Sequence, residues 1–114
     1  MKTTFIGRTA ESAAADYLKK QGFKILGRNW RTRFCEIDII ASKNKSVYFV
    51  EVKYRNNDGQ GKGLDYVTDK KLTQMRFAAE NWVRENDWNG DYQLSAIEVF
   101  GDDFEITGFV ENIY

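Results

Sequence analysis

The 114-residue sequence contains no histidine, and this absence excludes a large part of enzyme chemistry. Without an imidazole there is no Ser-His-Asp or Cys-His nucleophile system, no histidine acid–base catalyst and no Cys/His zinc site of the usual four-ligand kind. Any catalysis must run on carboxylates, lysine, tyrosine or a hard metal held by oxygen. The single cysteine, Cys35, cannot close an internal disulfide, and the chain opens at Met1 with no apolar signal segment, so a reducing, cytoplasmic setting is expected. No run approaches the ~18 consecutive apolar residues of a membrane span, so no membrane partner is expected. Proline is absent as well, and no linker, internal repeat or low-complexity tract divides the chain. Its length is that of one domain, residues 1–114.

Net charge is also lacking: 17 Lys and Arg stand against 17 Asp and Glu. The balance is a cancellation, because residues 1–79 hold 16 basic and 8 acidic side chains, whereas residues 80–114 hold Arg84 against 9 acids. The two parts are therefore +8 and −8. A neutral average does not argue here against a nucleic-acid partner, whose phosphates would be met by the basic part. Scattered pairing of these charges over one surface is the plain alternative.

Apolar periodicity orders the chain as helix, three strands, helix, two strands. Thr9 reads as the N-cap of a first helix running to about Gln21, with Ala10, Ala13, Ala14, Tyr17 and Leu18 on its apolar stripe and Gly22 as its stop. An extended segment from Phe23 leads towards Trp30. The runs Phe34–Ser42 and Val47–Tyr54, joined by Lys43-Asn44-Lys45-Ser46, form the clearest hairpin. Residues Asn56 to Asp65, with Gly59, Gly61 and Gly63, read as a mobile loop that lacks the phosphate-loop pattern. Thr68 caps a second helix with Leu72, Met75, Ala78, Ala79, Trp82 and Val83 on its apolar face. Tyr92–Phe100 and Phe104–Val110 are the last strands.

Centring the hairpin turn between Asn44 and Lys45 makes the numbers of paired residues sum to 89, which sets Asp38 opposite Glu51 and Glu36 opposite Lys53. The other face then carries Cys35, Ile37, Ile39, Ala41, Tyr48, Val50 and Val52, an ordinary core surface. A one-residue slip would mix acids with isoleucines. Directly opposed acids repel at a Cβ separation of roughly 5 Å. A shared proton, neighbouring cations such as Lys53, or a divalent metal would relieve Asp38 and Glu51. A solvated, salt-bridged sheet face is the plain alternative, against which Ile40 and Phe49 on the same face suggest a partly covered recess. Glu11 shares a helix stripe with Ala14, Ala15 and Leu18; as a first-turn carboxylate it would also complement the helix dipole. These residues suit phosphoryl transfer. Asp38, Glu51 and the Val52 carbonyl offer oxygen coordination to Mg²⁺ or Mn²⁺, Lys53 a cation for the water or the developing phosphorane charge, and Glu11 a further hold on the water.

At these positions the sequence resembles the PD-(D/E)xK superfamily of nucleases, whose pattern is an acid, a spacer and Glu-x-Lys on an antiparallel hairpin. More narrowly it resembles the YraN-like family of uncharacterised bacterial proteins. The matching stretches are Gly7 to Leu18, Gly22 to Asn29, Cys35 to Ala41, Phe49 to Arg55 and Val67 to Ala79. The resemblance implies an α/β fold with a restriction endonuclease-like core, a mixed sheet of about five strands flanked by helices, similar also to Holliday-junction resolvases. It implies a catalytic set of Glu11, Asp38, Glu51 and Lys53, supported by Arg55 and Lys71, and a two-fold homodimer of the kind nucleases of this fold often form. Cys35 and Ala10 stand where the family usually has glycine, and Gln93-Leu94-Ser95 where it has Arg-x-Asp.

Further basic residues suit a nucleic-acid surface. Arg31 and Arg33 are interleaved with Trp30 and Phe34, and Lys70 and Lys71 open the second helix against its dipole. The plain alternatives are core aromatics and a solvated edge. The expected function is metal-dependent hydrolysis of DNA phosphodiesters, on branched or structured DNA. The alternative is a non-catalytic nucleic-acid-binding module or complex subunit. A retaining glycosidase would also use two carboxylates about 5 Å apart, but Lys53 beside the pair and the lack of a long sugar cleft argue against it.

Overall fold

A computed structural model describes residues 5–56 and 67–113. The segment holding Gly59, Gly61 and Gly63, read above as a mobile loop, lies outside the described residues. The elements follow the expected order: α1 (Phe5–Lys20), β1 (Lys24–Arg31), β2 (Glu36–Lys43), β3 (Ser46–Arg55), α2 (Asp69–Glu85), β4 (Asp91–Phe100) and β5 (Glu105–Val110). The strands form one mixed sheet in the order β1-β2-β3-β4-β5, antiparallel except for the parallel pair β3 and β4 that α2 connects.

α1 begins four residues before the expected cap. Thr9 does not end the helix, because its hydroxyl donates back to the Phe5 carbonyl at 2.8 Å, an arrangement a helix interior accepts. Glu11 consequently lies beyond the first turn, which contains no acid, and its role is not that of a dipole partner. The helix stops as expected at Gly22, whose φ of 94° is open to glycine; Gly22 N–H reaches Lys19 O at 3.0 Å and Phe23 N–H reaches Leu18 O at 2.9 Å. Thr68 caps α2 by accepting from Lys71 N–H at 3.1 Å.

Both sheet faces are covered. Ala10, Ala14, Ala15 and Leu18 of α1 pack on Ile39, Ala41, Tyr48, Val50, Ile97 and Val99. Met75, Ala78 and Ala79 of α2 pack on Ile37, Ile40, Val47, Phe49 and Leu94. Double coverage explains why Ile37 to Ala41 and Ser46 to Val50 are buried without interruption, the pattern of a central strand between two layers.

The hairpin pairs as expected, from Lys43 with Ser46 to Ile39 with Val50. Its two turn residues, Asn44 (φ 53°) and Lys45 (φ 66°), have the left-handed conformations that a two-residue turn needs to match strand twist. Ile37 and Cys35 depart from the expectation: they pack on the α2 side, whereas Ile39 packs on the α1 side. The alternation breaks at Asp38. Across β1 the ladder pairs Arg28 with Ile39 and Trp30 with Ile37, and the intervening Asn29 takes φ 54°. That kink resets the side-chain parity.

Candidate active site

The β2–β3 ladder ends one pair short of the acids. Beyond Ile39 and Val50 the Asp38 side chain takes over, its Oδ2 accepting the Val52 N–H at 2.7 Å. The strands open there into a cavity of about 700 Å³, with Ala10 and Glu11 of α1 on one side, Lys71 and Gln74 of α2 on another, and Asp38, Glu51, Val52 and Lys53 on the hairpin. All four expected catalytic residues therefore line one space, and the recess inferred from Ile40 and Phe49 exists.

The cavity is rich in carboxylate. Asp38 and Glu11 are each 5% exposed, and the Glu51 side chain 17%. Burial pushes the Asp38 carboxyl up to about 8, helped by the charges of Glu51, Glu11 and Glu36 and opposed by the Val52 N–H. Burial likewise raises Glu51, against the pull of Lys71 and Lys53. Both carboxyls are raised and the Glu51 charge adds to the rise at Asp38, so a shared proton, the first of the three resolutions open to opposed acids, suits the pair. Glu11 is raised by burial, although Asn29 hydrogen-bonds it and Arg28 opposes the rise. Its Oε1 has no hydrogen-bond partner, nor does Oε1 of Glu36, which lines the same cavity.

The basic residues separate. Lys71 belongs inside, its Nζ 3.5 Å from Glu51 Oε1, whereas Lys70 is exposed on the same helix and does not line the cavity. Lys53 lines it at the mouth. Arg31 ends β1, 3.7 Å from Glu36, and Arg33 sits on the β1–β2 connection, stacked on Phe34. Arg55 lies apart from these residues, buried and paired with Glu98 at 2.8 Å. Glu36, Gln74 and Cys35 are cavity residues that the sequence reading did not assign to the site. Glu36 was legible from strand parity, two residues before Asp38. Gln74 was legible from helical spacing, three residues after Lys71. Burial pushes the Cys35 thiol up, so it stays protonated and poorly nucleophilic. Ser95, standing at the family's acid position, is buried in β4 and donates to the Glu111 carbonyl, holding the C-terminal segment.

Among the described residues no group of three or more Asp, Glu, Cys or His side chains is arranged as a ready cation cage. Two buried carboxyls whose charges oppose one another, beside partnerless oxygens of Glu11 and Glu36, nevertheless fit a hard divalent ion that keeps several waters, as Mg²⁺ does. Asp38 and Glu51, with the Val52 carbonyl, are the residues that would hold it.

Fold and cavity define an α/β protein with a mixed sheet between two helices and an acid, Glu-x-Lys constellation at the open end of its central hairpin. The chain belongs to the uncharacterised protein family UPF0102, the YraN family, whose profile matches residues 10–101. It is 41% identical over 113 residues to a UPF0102 protein of Tropheryma whipplei, covering 92% of this chain and 90% of that protein. It is 34% identical over 115 residues to one from Fusobacterium nucleatum, covering 99% and 93%. A third, from Vibrio parahaemolyticus, is 35% identical over 96 residues, 82% of this chain and 79% of that protein.

Proposed function

We propose that the protein is a Mg²⁺-dependent endonuclease that hydrolyses DNA phosphodiesters, with branched or structured DNA as its substrate. The observation that carries this reading is the convergence of Glu11, Asp38, Glu51 and Lys53 on one cavity, whose burial raises the Asp38 carboxyl. The fold is compatible with a restriction endonuclease-like core. When bound, the cation supplies positive charge to the scissile phosphate and acidifies a water.

The chain's own groups do the rest. Asp38 is oriented by the Val52 N–H and Glu51 by Lys71, so neither carboxylate must reorganise to receive its ligand. Lys53, at the mouth, meets the negative charge that develops on the phosphoryl oxygens and orients the attacking water. Glu11, whose Oε1 has no partner, accepts a hydrogen bond from that water.

Cleavage of a panel of branched, flapped and linear DNAs with Mg²⁺ or Mn²⁺ tests the reading. Asp38→Asn and Lys53→Ala should each abolish cleavage while keeping a single cooperative unfolding transition and the far-UV spectrum. Inactivity of the unmodified protein across the panel, with DNA binding that ignores chelators and Asp38→Asn, would replace it by the non-catalytic binding module.

A further inference from the structure

A second opening of about 400 Å³ adjoins the carboxylate cavity, between the β1–β2 connection and the C-terminal half of α2. Residues 31–34 line both openings and form the sill between them. Thr32 holds the sill rigid: its hydroxyl donates to Cys35 O at 3.0 Å and accepts from the N–H groups of Phe34 at 3.0 Å and Cys35 at 3.2 Å. Arg33 lies 5.3 Å over the Phe34 ring. On the other side Phe34 meets Phe77 of α2, centroids 5.3 Å apart and tilted by 45°. Phe77 is 46% exposed, a large apolar ring left in water, and Arg84 lines the second opening two α2 turns further along.

The exposed Phe77 ring among arginines matches the chemistry of an unpaired nucleotide, with a π-face for the base and guanidinium groups for the phosphate. A duplex fits this surface less well, because its bases are stacked on each other and offer the exposed ring nothing. Resting on the nuclease reading for its direction, we infer that a single-stranded DNA segment crosses the sill. An unpaired base stacks on the exposed face of Phe77, which Phe34 backs, phosphates lie on Arg33 and Arg84, and the strand continues into the carboxylate cavity. The enzyme's substrate class is then DNA with a single-stranded arm.

The test is equilibrium binding in EDTA, followed by fluorescence anisotropy, so that no turnover is needed. The probes are labelled oligothymidylate of about 20 nucleotides, longer than the footprint of most single-strand sites, the matching oligouridylate, and a blunt duplex of equal length. Oligothymidylate should bind at least about tenfold more tightly than the duplex. Phe77→Ala, at a half-exposed position, should cost the single strand about tenfold and leave the duplex unchanged, the effect of one lost base stack. Arg33→Gln should weaken both and lower the salt slope by about one. Lys19→Gln, on the exposed last turn of α1, should change neither. Equal affinity for single strand and duplex would overturn the inference, as would an unaffected Phe77→Ala variant or a Lys19→Gln loss matching that of Arg33→Gln. Preference for oligouridylate would overturn the assignment to DNA. Nuclease inactivity alone leaves these readouts intact, and equal binding alone leaves cleavage of duplex DNA intact, so the two readings fail separately.

Discussion

Asp38 performs two tasks with one carboxylate: Oδ2 completes the strand pairing through the Val52 N–H, and the group as a whole meets the charge of Glu51. Burial of the pair makes the ionised form unfavourable. With its carboxyl raised from 3.8 to about 8, Asp38 favours the folded state when protonated. The stability it contributes is full below the ordinary carboxyl range and lost as pH rises towards 8. One pKa unit corresponds to about 1.4 kcal/mol, so the loss amounts to several kcal/mol. Urea unfolding of the metal-free protein should therefore show stability falling between about pH 4 and pH 8, with Asp38→Asn flattening the slope because it keeps the acceptor and removes the charge. Millimolar Mg²⁺ or Mn²⁺ should restore stability at the alkaline end and do little at the acid end, by mass action on the folded state. A flat profile with no metal effect would count against both the proton and the cation at this pair.

At the scale of elements, the two helices reach the cavity by different means. α1 brings Glu11 from its interior, a position the sequence reading misassigned because Thr9 looks like a cap and is bonded back to Phe5 instead. α2 brings Lys71 from its first turn, where the Thr68 hydroxyl holds the Lys71 N–H. The hairpin register was legible because turn chemistry and apolar parity agree over Ile39–Lys43. The switch of Ile37 to the α2 side was not, since it depends on the left-handed Asn29 of a neighbouring strand. Nor was the parting of Lys70 from Lys71, because charge alone does not fix the rotation of a helix against a sheet. Thr68→Ala should cost about 1 kcal/mol in denaturant unfolding. Under the nuclease proposal it should also lower the rate of DNA cleavage at saturating Mg²⁺, because the turn that carries Lys71 to Glu51 loses its anchor. Unchanged stability would show that the cap is not holding the helix start.

For the molecule as a whole, the layering α1, sheet, α2 puts β2, β3 and β4 between two apolar clusters and leaves β1 and β5 as edges. Amide hydrogen exchange should be slowest for Ile39 to Ala41, Val47 to Val50 and Leu94 to Ile97, and much faster for Lys24 to Gly27 at the β1 edge. Comparable rates in β1 and β3 would contradict this hierarchy. The parallel pairing of β3 with β4 has a temporal consequence as well. Glu11, Glu36, Asp38 and Glu51 all precede the crossover, whereas Lys71 and the Met75, Ala78 and Ala79 lid on Ile37 and Phe49 follow it. During synthesis the acids thus emerge before the cation and the apolar cover that accommodate them. Docking of α2, rather than closure of the hairpin, is the event that finishes the site.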